Sequence, residues 1–250
     1  LLEKKRELVN RIAGFEKLHG SKSAKLSSAR SSFNENDLSL RETNQRLSIL
    51  SDLENSMEGF AYSVKHIMKA ASNGRIPGVC GSVAQLISVD SEYSVAIETA
   101  LGAAMQNIAV ENEDSAKRCI RLLKEDKAGR ATFLPLTSVK GRTLDDPPAD
   151  EDGYVALGSE LAACDKKYEG LIKNLLGRVV IAEDIDCASR IAKKYGYRFK
   201  TVTLDGQVVN AGGSYTGGSA AKSAGILTRK NEIEKLLSLI HISEPTRPEP

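Results

Sequence analysis

Tryptophan is absent from this chain of 250 residues, and aromatic residues make up only 5% of it. Aromatic side chains supply much of the apolar area buried in a globular core, so a chain this poor in them buries little surface over much of its length. No apolar run reaches the roughly 18 residues of a membrane-spanning helix, and we expect no membrane partner. The net charge of +2 does not by itself indicate an acidic or a basic partner.

Cysteine and histidine are too few and too dispersed to suggest a metal or catalytic site. The four cysteines contain no Cys-x-x-Cys pair, which predicts reduced cytosolic thiols and argues against a zinc site joining two coils. They are Cys80, Cys119, Cys164 and Cys187. The three histidines, His19, His66 and His241, lie outside the expected globular region, which therefore lacks the usual general base. We predict no catalytic residue and no metal site.

The stretch Thr203–Ser219, TLDGQVVNAGGSYTGGS, is rich in glycine but does not have the pattern of a phosphate-binding loop. Such a loop needs a glycine followed directly by Lys-Ser or Lys-Thr, whereas Gly218 precedes Ser219 and Lys222 follows alanine. Two interpretations stay open from these residues alone. The glycines form two hairpin turns, or they allow another backbone to approach closely.

Residues 1–73 are predicted to form a coiled-coil arm. Apolar residues recur at a mean spacing of 3.5 residues from Leu1 to Met68, with no proline, which is the pattern of a coiled coil. We expect one continuous helix over Leu1–Ser72. A second arm begins in residues 223–240, where Ile226, Ile233, Leu236 and Ile240 restart the repeat. The two arms are expected to pair antiparallel. The proline-rich residues 241–250 are expected to be a non-native tail.

Between the arms the pattern changes to short β-branched runs that alternate with helical segments, which predicts an α/β domain with a partly parallel sheet over residues 74–222. The acidic, proline-containing stretch Asp145–Asp152 is expected to separate two subdomains. The predicted strands are Val79–Val83, Asn107–Val110, Ala131–Leu134, Arg178–Ile181, Arg198–Val202 and Gln207–Val209. The predicted helices are Glu92–Ala104, Asp114–Glu125, Lys166–Leu176 and Ile185–Tyr195.

Three motifs occur in one order: Gly78–Val89 (GVCGSVAQLISV) followed by Tyr93–Val110 (YSVAIETALGAAMQNIAV), Gly129–Leu136 (GRATFLPL), and the glycine-rich stretch. Together they resemble the hinge domain of structural maintenance of chromosomes (SMC) proteins, and the bacterial chromosome-partition type in particular. The resemblance implies a globule of two subdomains with mixed sheets, inserted between the helices of an antiparallel coiled coil. It implies a homodimer, and the glycines expected at that interface are Gly206, Gly212, Gly213, Gly217 and Gly218.

The resemblance also implies what lies elsewhere in such proteins. ATP, Mg²⁺ and kleisin-type subunits bind at head segments whose motifs are not present here, so we expect no cofactor and no enzyme activity in these residues. A cytoplasmic, nucleoid-associated location is implied as well.

Charge placement suggests a DNA contact where the globule meets the coils, as hinge domains of this family have. No acidic residue occurs between Gly59 and Val89 or between Gly206 and Asn231, although both stretches carry cations. Antiparallel arms would bring these cations together, and such a patch neutralises phosphates without reading sequence. The alternative is a solvated face at the coil root. The candidate residues are Lys65, Lys69, Arg75, Lys222, Arg229 and Lys230.

Two other functions compete with a dimerising hinge. An α/β nucleotide-binding enzyme domain fused to a coiled coil is disfavoured by the missing phosphate loop and the missing histidine. A passive coiled-coil scaffold does not explain about 145 residues of α/β globule.

Overall fold

A computed structural model describes residues 2–218 and 225–243 of the chain. It divides into two compact units, one of residues 1–51 with 235–250 and one of residues 52–234. The helices are α1 (Leu2–Asn55), α2 (Tyr62–Ser72), α3 (Val83–Leu86), α4 (Ser94–Leu101), α5 (Glu113–Glu125), α6 (Glu169–Leu176), α7 (Ile185–Lys194) and α8 (Ile226–Ser243). The strands are β1 (Val79–Ser82), β2 (Ile87–Ser88), β3 (Ile108–Val110), β4 (Phe133–Pro135), β5 (Tyr154–Leu157), β6 (Ala163–Cys164), β7 (Val179–Ala182), β8 (Lys200–Thr203), β9 (Val208–Val209) and β10 (Tyr215–Thr216).

The first unit contains most of α1 and the second half of α8. Burial along α1 follows the predicted seam only near its end, where Leu40, Thr43 and Leu47 are half-buried and Leu50 is buried. Further toward the N-terminus the seam residues are exposed, and these are Leu8, Ile12, Phe15, Leu26 and Phe33. Helix α8 continues to Ser243, past the point where we expected the native sequence to stop, and residues 244–250 of the expected tail lie outside the described residues.

The expectation of one continuous helix through Ser72 is wrong. Helix α1 ends at Asn55, and Met57 and Gly59 take positive φ angles of 52° and 91° in the turn that follows. The side chain of Gln106 holds this turn, since it accepts from the Ala61 N–H at 2.8 Å and donates to the Gly59 carbonyl at 3.1 Å. Helix α2 therefore belongs to the second unit, and Gly59 was the sequence signal for the break.

The second unit is built on two mixed sheets, which confirms the predicted α/β class. The smaller has the order β1-β3-β4, with β1 antiparallel and β4 parallel to β3. The larger has the order β10-β9-β8-β7-β5, and only its β7–β8 pair is parallel. Strands β2 and β6 form a separate antiparallel pair.

Two apolar clusters hold these layers together. The larger packs α2, α4, α5 and α6 against the three-stranded sheet and one face of β7 and β8, with Ile67, Ile97, Ile108 and Ile181 fully buried. The smaller packs α7 onto the opposite face of the five-stranded sheet, where Val180 and Ile191 are fully buried. Alternating residues of β7 thus serve both clusters, as a strand covered on both faces requires.

Candidate functional site

Strand β10 forms one end of the five-stranded sheet. Its two residues, Tyr215 and Thr216, are both exposed, and its only partner among the described strands is β9. A free sheet edge offers backbone N–H and C=O groups that can pair with another chain. This edge is the first candidate site, and it lies inside the glycine-rich stretch.

The register shows which backbone groups face outward. The Asn210 N–H donates to the Ser214 carbonyl at 2.8 Å, and Tyr215 lies opposite Val209. Hydrogen-bonded and non-hydrogen-bonded pairs alternate in an antiparallel ladder, so Thr216 turns its backbone groups toward β9. Tyr215 and, one step further, Gly217 turn theirs away from the sheet. No described residue pairs with their N–H and C=O groups, which face the side where a strand would add to this edge.

The five predicted glycines occupy different places around the edge, and their roles at a dimer interface stay predictions. Gly206 lies in the β8–β9 turn, where a Cβ would meet Thr99 Oγ1 at 3.0 Å, so its space is limited by α4. Gly212 and Gly213 form the β9–β10 turn, and Gly217 and Gly218 directly follow β10. Only this last pair continues the exposed edge itself.

Two of the cations predicted to contact DNA lie at the start of α8, and both bind groups of the protein itself. Arg229 is only 4% exposed, with its Nε 3.0 Å from Glu54 Oε2 and its Nη2 3.0 Å from the Glu58 carbonyl. Lys230 is half-buried and donates to the Ile87 carbonyl at 2.9 Å. These contacts join the returning helix to the end of α1 and to β2, so in this structure neither cation is presented to a ligand. The third, Lys222, lies outside the described residues.

Further polar contacts secure the same end of α8. Both Glu98 oxygens accept from it, one from the Leu227 N–H and the other from the Thr228 hydroxyl at 3.2 Å. Asn231 donates to the Val89 carbonyl at 2.8 Å and to Ser94 Oγ at 2.7 Å. The start of α8 is therefore fixed to α4 and to the chain leading into it.

The remaining predicted cations lie on or just after α2. Lys69 is exposed, and Lys65 lies 3.8 Å from Glu58 Oε2. Arg75 contacts Asp126 Oδ2 at 3.1 Å, and His66 Nε2 contacts the same oxygen at 2.8 Å. The His66 hydrogen bond, with the charge of Arg75, holds the pKa of the Asp126 carboxyl below its usual range. The sequence contains no carboxylate between Gly59 and Val89, but the fold places Glu58 and Asp126 beside the cations of this stretch.

The same surface gains cations that the sequence analysis did not select. Helix α2 packs on α5, and Ser63 Oγ donates to the Arg130 carbonyl at 2.7 Å. Lys124, in the last turn of α5, and Lys127 and Arg130, in the segment that follows, are all exposed. We call the six cations on α2, at the end of α5 and in the segments that follow these two helices the α2 basic surface: Lys65, Lys69, Arg75, Lys124, Lys127 and Arg130. Their clustering depends on helix packing, which no local sequence pattern shows.

The described residues show no site for redox or metal chemistry. No group of three His, Cys, Asp or Glu residues within them could hold a metal ion. Burial raises the pKa of the Cys80, Cys119 and Cys164 thiols, so all three are poor nucleophiles at neutral pH. No helix in this part of the chain is long and apolar enough to cross a membrane.

Comparison with solved structures identifies the family to which this chain belongs. The crystal structure of an asymmetric dimer of the Geobacillus stearothermophilus SMC hinge domain superposes with a TM-score of 0.79 at 35% identity, covering 90% of this chain and 91% of that one. The chain belongs to the SMC hinge family. The model of the SMC proteins flexible hinge domain matches residues 76–192. The Pyrococcus furiosus SMC hinge domain superposes with a TM-score of 0.55 at 29% identity, covering 74% of this chain and 94% of that one.

Curated relatives agree with this assignment. The chromosome partition protein Smc of Halothermothrix orenii is 41% identical over 212 residues, and that of Bacillus subtilis is 38% identical over 200 residues. The matches cover 83% and 78% of this chain, but only 18% and 17% of those relatives. This SMC hinge therefore corresponds to less than a fifth of such a protein. The hinge is a structural dimerisation module of SMC proteins, not a catalytic domain, and the alternative of a nucleotide-binding enzyme is not favoured.

Proposed function

We propose that this SMC hinge joins two copies of its chain by adding a strand of one copy to the β10 edge of the other. The observation that carries the proposal is the free edge itself, where Tyr215 and Gly217 direct backbone groups away from the sheet in an exposed strand. Gly218, where a Cβ would meet nothing within 4 Å, leaves room beside this edge for a neighbouring backbone. The asymmetric dimer named for the Geobacillus hinge supports self-association as the outcome.

A proline at position 215 tests this proposal. It removes the outward N–H of Tyr215 without removing a hydrogen bond to β9, which is the position where an edge strand tolerates proline. Light scattering should give a dimer mass for the wild type and a monomer mass for Tyr215→Pro, at equal circular dichroism.

The matched control is Tyr215→Phe, which keeps the backbone N–H and loses only the hydroxyl, with its contacts to Ser189 Oγ at 2.8 Å and to Tyr197. It should remain a dimer. A monomeric wild type, or a Tyr215→Pro dimer as stable as the wild-type one, would rule out pairing at this edge.

We also propose that the hinge contacts DNA through the α2 basic surface, without sequence specificity. Six cations lie there beside the carboxylates of Glu58, Glu125 and Asp126, so a small net positive charge remains. With about two to three phosphate contacts, the logarithm of affinity should fall with the logarithm of salt concentration with a slope of roughly −2 to −3. Binding should be indifferent to sequence, because phosphate contacts position a protein without specifying bases.

The test compares two charge-reversed variants by fluorescence anisotropy on a duplex at several salt concentrations. Lys69→Glu with Lys127→Glu should abolish measurable binding. Lys17→Glu with Lys25→Glu changes the net charge equally at exposed positions of α1 and should reduce affinity far less. Equal losses in the two variants would show that net charge, and not the α2 basic surface, determines binding.

In a complete SMC protein this role would belong to chromosome partition in the cytoplasm, at the nucleoid. ATP, Mg²⁺ and kleisin-type partners would then act at heads beyond the hinge and its coils.

A further inference from the structure

The β8–β9 hairpin interrupts the ladder that would otherwise hold the end of β10. In the register of β9 and β10, the next hydrogen-bonded pair after Val208 and Thr216 would be Gly206 and Gly218. Gly206 cannot take that place, because its N–H donates to the Thr203 carbonyl at 2.9 Å within the hairpin turn. The backbone of Gly218 therefore needs a partner other than the neighbouring strand.

The side chain of Gln207 supplies that partner. Its Nε2 donates to the Gly218 carbonyl at 3.2 Å, and its Oε1 accepts from the Gly218 N–H at 3.0 Å. A primary amide carries the same donor and acceptor pair as a peptide group, so this side chain acts as one more rung of the ladder. Gly217 makes the contact possible, since a Cβ at that position would overlap Gln207 Oε1.

We infer that Gln207 is a positioning residue for dimerisation. Its side-chain amide fixes the chain that leaves β10 by bonding both backbone groups of Gly218, so that Tyr215 and Gly217 keep their outward groups presented to a strand of a second copy. A two-residue strand has little rigidity of its own, and ordering it before association removes that entropic cost from binding. This inference rests on the proposed function, because it assigns a role within the same edge.

The effect of Gln207 is measurable as a dimer dissociation constant of the full chain, determined by sedimentation equilibrium. Gln207→Ala should raise this constant about tenfold, which corresponds to 1.4 kcal/mol. The thermal midpoint from tyrosine fluorescence, measured at a concentration where both proteins are monomeric, should not change, because the β9–β10 ladder and the apolar clusters are untouched. Gln45→Ala, at an exposed position of α1, is the matched control and should leave both quantities unchanged.

Gln207→Glu gives a readout that a merely structural role would not produce. An ionised carboxylate can accept from the Gly218 N–H but cannot donate to the Gly218 carbonyl, so at pH 7 this variant should dimerise as weakly as Gln207→Ala. A protonated carboxyl regains the donor, and an ordinary glutamate titrates near 4.3. Relative to wild type at the same pH, the glutamate variant should recover its affinity between pH 7 and about 4.5, while the alanine variant should not.

The outcomes separate this inference from the proposed function. A wild-type dimer whose dissociation constant is the same in Gln207→Ala overturns the inference alone. A loss of affinity that follows a lowered thermal midpoint, with no recovery of Gln207→Glu at low pH, also overturns it, because the residue is then needed only for folding. A monomeric wild type overturns the proposed function, and the inference with it.

Discussion

Replacing Arg229 by alanine should destabilise the second unit strongly, although the sequence suggests an exposed DNA contact. The guanidinium is almost fully buried and makes two contacts of 3.0 Å, to the Glu54 carboxylate and to the Glu58 carbonyl. Removing one partner of a buried ion pair costs about 3–5 kcal/mol. The Glu54 side chain is 33% exposed and can be rehydrated, so we expect a loss of about 2–3 kcal/mol.

Urea unfolding followed by tyrosine fluorescence measures this loss selectively. All seven tyrosines lie between Tyr62 and Tyr215, within the second unit, so α1 does not contribute to the signal. Arg11→Ala, on the exposed part of α1, is the control and should stay within about 0.5 kcal/mol of wild type. In a double-mutant cycle with Glu54→Ala, the two losses should be non-additive by about 1–2 kcal/mol.

Glutamate at position 229 should be more damaging than alanine, because it places a second carboxylate beside Glu54. Loss of DNA binding in such a variant would then reflect unfolding and not a lost phosphate contact. An Arg229→Ala protein as stable as wild type would refute this reasoning, and it would return Arg229 to the candidate DNA contacts.

Two further predictions concern the attachments of α2 and α8. Glu98→Ala removes both acceptors at the start of α8 and should cost about 1–2 kcal/mol in the same urea assay, whereas Glu92→Ala, at an exposed position before α4, should cost little. Asp126→Asn should be less stable than wild type at neutral pH, because the His66 and Arg75 contacts favour the ionised carboxyl. Since the pKa of Asp126 is lowered in the folded state, that contribution is complete above the unfolded value near 3.9 and is lost as the pH falls through the folded pKa. The stability difference between the two proteins should therefore shrink below about pH 4, and a difference that stays constant down to pH 3 would contradict the role of this charge.

The parts of the fold that follow local patterns were predictable from the sequence. Helices α5 and α7 begin after Asn112 and Asp184, whose side chains accept from backbone N–H groups as helix caps do. Strands β1 and β7 were predicted within one residue of their observed ends. The β-branched run of β7, Val179 to Ile181, is buried on the sheet, which is the environment that selects such residues.

Four strands were not predicted, and they are β2, β5, β6 and β10. Strands β2, β6 and β10 have only two residues each, too few for any periodicity to appear. Strand β10 exists because Val208 and Val209 lie beside it, because the Asn210 side chain donates to Thr216 Oγ1, and because the Gln207 side chain bonds to Gly218 just after it. None of these contacts is visible in the composition of Tyr215 and Thr216.

The partners of the cations where the coils meet the globule could not be predicted from the sequence. The stretches around the coil roots contain no carboxylate, but Glu54, Glu98 and Asp126 reach the junction from other elements. Counting charges along the chain therefore wrongly predicted an exposed Arg229, because its partner Glu54 lies 175 residues away in the sequence. The glycine-rich stretch was identified as important, but the function of each glycine depends on the register of the sheet.

Amide hydrogen exchange at β10 tests the central claim most directly. The N–H groups of Tyr215 and Gly217 point away from the sheet, whereas that of Thr216 points toward β9. We predict that the Thr216 amide is protected at all protein concentrations. The Tyr215 and Gly217 amides should become protected only above the dimer dissociation constant, when a second copy pairs with the edge. A stable dimer in which these two amides still exchange as fast as in the monomer would contradict dimerisation through β10.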